Sequence, residues 1–113
     1  MKIDHFPDVA RLPLGEPGPV GVPLGEPVSH VATHSVTRDD GVEAGVWECT
    51  PGRWRRQIVQ QEFCQFIQGR CTFIPDGGEP IAIQAGDALM FPANTTGIWE
   101  VQETVRKSYV LIF

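Results

Sequence analysis

The side chains able to do chemistry are unevenly spread along this chain of 113 residues. All three histidines, His5, His30 and His34, lie near the start, and positions 35–113 contain none. Most of the chain therefore offers neither an imidazole base nor a histidine-based metal site. His30 and His34 have a spacing that would suit two metal ligands on one helix face. Their neighbours Val31, Thr33, Val36 and Thr37 are β-branched or strand-forming and favour a strand instead. Cys49, Cys64 and Cys71 are odd in number, and no two have the C-x2-C spacing of a zinc site. Without a nearby His or helix N-terminus to activate a thiolate, they read as small core hydrophobes. What remains are the 14 Asp and Glu, the nine Lys and Arg, and the aromatics Trp47, Trp54, Trp99 and Tyr109. A carboxylate in apolar surroundings can serve as a general acid or base. Arg and Lys can hold an anion or a developing oxyanion, and Trp gives a broad contact surface with one polar N–H.

These groups need a scaffold, and the composition says which kind. Val and Ile together number 20, against 12 for Leu and Ala, and Gly and Pro number 22. β-branched residues suit strands and Gly and Pro punctuate turns, so the chain reads as an all-β domain and not a helix bundle. Residues 1–32 hold six of the ten prolines and a short repeat, Pro13-Leu-Gly-Glu-Pro17 and Pro23-Leu-Gly-Glu-Pro27. So many prolines forbid a central strand or a stable helix, and an extended arm lying over the domain is expected there. From Thr33 onward strand-like runs alternate with turns. The strands expected are His34–Arg38, Glu43–Cys49, Trp54–Val59, a hairpin of Phe63–Gln68 and Arg70–Pro75 about Gly69, Ile81–Gln84, Ala88–Phe91, Gly97–Gln102 and Val105–Phe113. Short strands with turns every ~8–12 residues are the pattern of a sandwich or jelly roll. A net charge of −5 argues against nucleic-acid and anionic-membrane surfaces. No long apolar run is present, so a soluble, cytoplasmic protein with reduced thiols is expected.

Two spacings narrow the scaffold further. Glu62 is followed after six residues by Gly69, and Gly86 after five by Pro92. These resemble the end of the first and the start of the second sequence motif of the cupin superfamily. The runs Val46–Arg55, Glu62–Cys64, Gly97–Val101 and Val105–Tyr109 are similar to one branch of it, the RmlC-like cupins of the (S)-ureidoglycine aminohydrolase type, with relatives among ethanolamine-utilisation cupins. The resemblance implies a single-domain jelly-roll barrel over residues 33–113, with residues 1–32 outside it as the arm. It also implies four metal ligands, of which this chain keeps only Glu62. Arg55 and Gln57 stand where the first two His would be, Gly97 replaces the third His, and Val101 replaces the final Asn. One carboxylate does not hold a transition metal tightly, so no metal or other cofactor is expected.

Side chains alternate along a strand. If Glu62 points into the barrel, as the resemblance implies, Cys64 and Phe66 do too, and a tight turn at Gln68-Gly69 would bring Cys71 and Phe73 to the same face. The motif alignment puts Arg55 and Gln57 inside and suggests that an Arg55–Glu62 pair takes the place of a metal. Trp47 and Trp99 would line the mouth, with Trp54 and Tyr109 as further candidates. Lys107 is either a pocket cation or a solvated edge residue. The expected function is metal-independent binding of a small anionic or nitrogenous metabolite, with Glu62 as the acid/base group of any reaction. The alternatives are a non-catalytic cupin module, acting as ligand sensor or assembly partner, and a metal-dependent cupin enzyme, which the missing histidines disfavour. The expected partners are a small molecule and a second copy of the chain.

Overall fold

The computed structural model describes residues 1–112, and it is entirely β outside loops and turns. The strands are β1 (Gly18–Pro19), β2 (His30–Thr37), β3 (Glu43–Cys49), β4 (Gly52–Ile58), β5 (Gln61–Pro75), β6 (Ile81–Gln84), β7 (Ala88–Phe91) and β8 (Thr95–Ile112). All pairings are antiparallel, in the order β1-β2-β3-β8-β5-β6, with β4 added to β8 and β7 to β5. The two long strands make the jelly roll. The C-terminal half of β8 runs between β3 and β5, while its N-terminal half runs between β4 and β5. Each long strand thus belongs to both halves of the barrel, and the inner rows of the two halves meet in one core.

That core holds Cys49, Cys64, Phe66, Cys71, Phe73, Trp99, Val101 and Val105, each no more than 5% exposed. The expected hairpin about Gly69 does not form. β5 runs straight through it, and Gly69 sits in a bulge where the β5–β8 register shifts between Phe66 and Cys71. A bulge adds a residue to one strand and switches which face the following side chains take. Cys64 and Phe66 before it, and Cys71 and Phe73 after it, therefore all point inward without a chain reversal. Gly69 is required there: its φ is +81°, and a Cβ would strike the Thr104 carbonyl oxygen. In the same way, Gly97–Gln102 and the expected Val105–Phe113, whose last residue lies outside the described residues, belong to one strand, not two.

The N-terminal segment crosses from one sheet edge to another. Gly18–Pro19 pairs with His30 and Val31 on β2. A few residues on, Pro23 bridges Trp54 of β4, the Leu24 N–H donates to the Arg53 carbonyl at 2.8 Å, and the Arg55 N–H donates to the Val22 carbonyl at 3.0 Å. Prolines are tolerated because these are short edge pairings whose N–H donors are Val20, Leu24 and Arg55, not the prolines, which have none. Earlier residues lie over the outer face. Phe6 meets the His34 ring edge-on, and Arg106, paired to Glu48 at 3.1 Å, donates to the carbonyls of Val9 and Leu12. Val46 on that face is 1% exposed as a result.

Candidate functional site

Glu62 projects inward from β5, where it stands opposite Phe91 of β7 and Leu111 of β8. Lys107 projects inward from β8, opposite Trp47 of β3 and Phe66 of β5. The two strands bring these residues, 45 apart in sequence, into one buried ion pair with Lys107 Nζ 2.7 Å from Glu62 Oε2. Their side chains are only 5% and 7% exposed. Neither charge could be buried alone, since desolvating an unpaired ion costs several kcal/mol. The ammonium gains more from the rings about it. Nζ lies 4.4 Å from the Trp47 ring centroid and 5.4 Å from that of Trp99, with Phe66 and Phe91 slightly further.

The pair forms part of the wall of a cavity of about 350 Å³. Trp47, Trp54, Trp99 and Tyr109 supply its aromatic lining, and Pro19, Val20 and Gly21 of the N-terminal segment close one side. The volume is at the lower end of the range for small-ligand sites. Tyr109 donates its hydroxyl to Glu43 Oε2 at 2.6 Å. Burial, reinforced by that bond to a carboxylate, raises the Tyr109 hydroxyl pKa and keeps it protonated.

Arg55 and Gln57 are not in this cavity. Trp54 and Ile58 are buried at 4% and 3%, and these two fix the inner face of β4. Arg56, between them in the alternation, lines the cavity, while Arg55 and Gln57 face outward. The motif-based placement of these two is one residue out of phase with the apolar alternation. Arg55 forks onto Asp76 with bonds of 2.8 and 2.7 Å at the surface, and the guanidinium holds the Asp76 carboxyl down at about 2. The cation facing Glu62 is Lys107, not Arg55. Sequence reasoning missed Arg56 and Glu43 as cavity residues. The Trp54-x-Arg56-x-Ile58 alternation carried the signal for the first.

A metal does not fit the side chains present. Among the described residues no three His, Cys, Asp or Glu are grouped to hold an ion. Glu62 already accepts an ammonium. At position 97 even a Cβ would lie 2.6 Å from the Phe73 ring and 2.5 Å from the Ile74 carbonyl oxygen, so the core fills the space a ligand side chain there would need.

The EutQ-like cupin domain family matches residues 36–109, most of the chain and every strand from β3 to β7. The chain belongs to the EutQ-like cupin family. No curated protein matches it. Three solved structures show the same fold. The EutQ protein of Clostridium difficile is 20% identical at TM-score 0.65, over 81% of this cupin and 79% of that chain. A Pseudomonas syringae protein of the DUF861 family is 21% identical at TM-score 0.76, over 93% of this cupin, which spans only 46% of that longer chain. A DUF861 protein of Thermotoga maritima is 28% identical at TM-score 0.58, over 59% of this cupin and 76% of that chain. The family match places the cupin in the superfamily, and the ureidoglycine aminohydrolase type is not confirmed. No helix among the described residues is long and apolar enough to cross a membrane.

The cupin's three cysteines are free and buried within the barrel. Burial pushes the Cys49 and Cys64 thiols up to about 11 and Cys71 up to about 12, from an ordinary value of 9.0. Raised thiol pKa values favour the folded chain below pH 9.0, where both states hold the protons. As pH climbs from there toward about 11–12, the unfolded chain sheds protons that the folded one keeps, and stability falls. We expect Tm to drop across this window, less so in Cys64→Ala relative to its own neutral-pH value. Native protein at pH 8 should also resist iodoacetamide and label fully only in urea. Rapid native labelling would show an accessible thiolate.

Proposed function

We propose that this cupin binds a small molecule in the cavity without a metal. Glu62 is its acid/base group and Lys107 its fixed positive charge. The observation that carries the reading is the buried Glu62–Lys107 pair on the wall of an aromatic cavity. A purely structural core of this size would be better served by apolar residues of similar volume, because a buried ion pair is often no more stable than its hydrophobic replacement. Trp47, Trp99 and Tyr109 provide contact area, and Lys107 Nζ has protons beyond the one directed at Glu62 with which to hold a ligand oxygen. The fold permits an enzyme.

Ligand screening by thermal shift tests this reading, with amino acids, sugar acids and small carboxylic acids and their amides as probes. A true ligand at ~100 times its Kd stabilises by about 2.7 kcal/mol. Glu62→Gln should lose most of that shift, and protein purified without chelator should carry far less than one equivalent of metal. A hit unaffected by Glu62→Gln, or stoichiometric transition metal, would overturn the proposal.

A second reading, an assembly module with a disused pocket, rests on a different observation. Val36, Ala44, Val110, Phe63 and Met90 form one cross-strand row over five strands, and Phe63 and Met90 are 44% and 53% exposed. Such a row suits pairing with a second copy. An empty ligand screen together with dimers in solution would favour it.

A further inference from the structure

The cavity also carries a charge that no carboxylate among the described residues neutralises. Among the described residues, eight of the nine Lys and Arg side chains lie 2.7 to 3.8 Å from a carboxylate oxygen. The ninth is Arg56. In a chain of net charge −5, acidic partners are plentiful, so an unpaired guanidinium is the exception.

Its position is specific. Arg56 shares the inner face of β4 with Trp54 and Ile58, lines the cavity and is exposed where those two are buried. The guanidinium thus stands at the rim. Across the strand pair its neighbour is Gly97 of β8, which has no side chain to engage it. Each of the other charged groups of the wall already has a partner in the protein. Glu62 and Lys107 neutralise one another, and Glu43 accepts the Tyr109 hydroxyl.

We infer that Arg56 is the anion-binding residue of the cavity and that the ligand is a small carboxylic acid. Its apolar body lies among Trp47, Trp54 and Trp99, and its carboxylate meets Arg56 at the rim. A guanidinium fork matches a carboxylate with two parallel hydrogen bonds, and it is more weakly hydrated than an ammonium, so less is lost on binding. This rests on the cavity being a ligand site, as proposed above, and adds which end of the ligand is charged and which residue reads it.

The test compares carboxylic acids from propionate to phenylacetate with their primary amides, which match in shape and lack the charge. Binding is read by isothermal titration for wild type, Arg56→Gln and Arg56→Lys. Arg56 is exposed, so its replacement leaves the fold intact, which circular dichroism checks. At least one acid should bind wild type tighter than its amide by about tenfold or more, as expected for a charge-assisted pair. Arg56→Gln should erase that preference, and Arg56→Lys should restore it only in part. Acid and amide binding alike, or a preference that survives Arg56→Gln, overturns the role of Arg56 while the ligand site stands. Amides that bind where no acid does overturn it in the same way. If neither series shifts the titration, both this inference and the ligand site fall.

Discussion

Lys107→Ala is expected to destabilise the protein by about 3–5 kcal/mol, because it leaves the Glu62 carboxylate buried without a partner. Glu62 is 5% exposed, and among the described residues its one ionic contact is Lys107 at 2.7 Å. The second member of the series separates charge from packing. In Lys107→Met combined with Glu62→Gln, a chain of similar length still fills the space among Trp47, Phe66, Phe91 and Trp99, and no charge remains. That double variant should recover most of the loss, since replacing both members of a buried pair is often close to neutral. Urea denaturation at neutral pH gives the three stabilities. A loss below about 1 kcal/mol for Lys107→Ala would be the cost of a surface pair and would show that water reaches Glu62.

Trp99→Ala should cost a similar amount, about 3–5 kcal/mol, by a different route. Trp99 is 1% exposed, and its ring lies 4.7 Å from that of Phe73 and 6.0–6.2 Å from those of Phe91, Trp47 and Phe66. Truncation removes the common neighbour of four rings and opens a void that the hydrogen-bonded strands around it cannot close by sliding. Trp99→Phe keeps one ring and should lose clearly less. The indole is also one of the rings beside the Lys107 ammonium. Ligand binding should therefore weaken in Trp99→Phe even where the fold survives. Equal losses for Ala and Phe would mean that the position is set by its backbone and not by aromatic packing.

Several features of the molecule are legible in the amino-acid sequence alone. The short apolar runs and turn residues yield β3, β6 and β7 with the bounds they have in the fold, Glu43–Cys49, Ile81–Gln84 and Ala88–Phe91. Alternation within one strand puts Trp47 with Cys49, Glu62 with Cys64 and Phe66, and Lys107 with Tyr109, and these groupings stand because a two-residue period is local geometry. Elsewhere locality fails. Gly69 reads as a turn, since a glycine between two apolar runs serves a hairpin and a bulge alike. Which one forms depends on β8 being long enough to pair with both halves of β5. The misplaced arginine on β4 has the same root. Arg53, Arg55 and Arg56 crowd that strand, and the family motif favours Arg55 while the buried pair Trp54 and Ile58 decides otherwise.

The fold class, the cupin superfamily and the absence of histidine from positions 35–113 are all legible in the residues. Each follows from residue types and short spacings, which are fixed by covalent connectivity. Which cation meets Glu62, which cavity arginine lacks a carboxylate partner among the described residues and what the N-terminal prolines touch emerge only in the fold. Those depend on strand pairings and a bulge between residues far apart in the chain, and a shift of one residue in either turns an inward side chain outward.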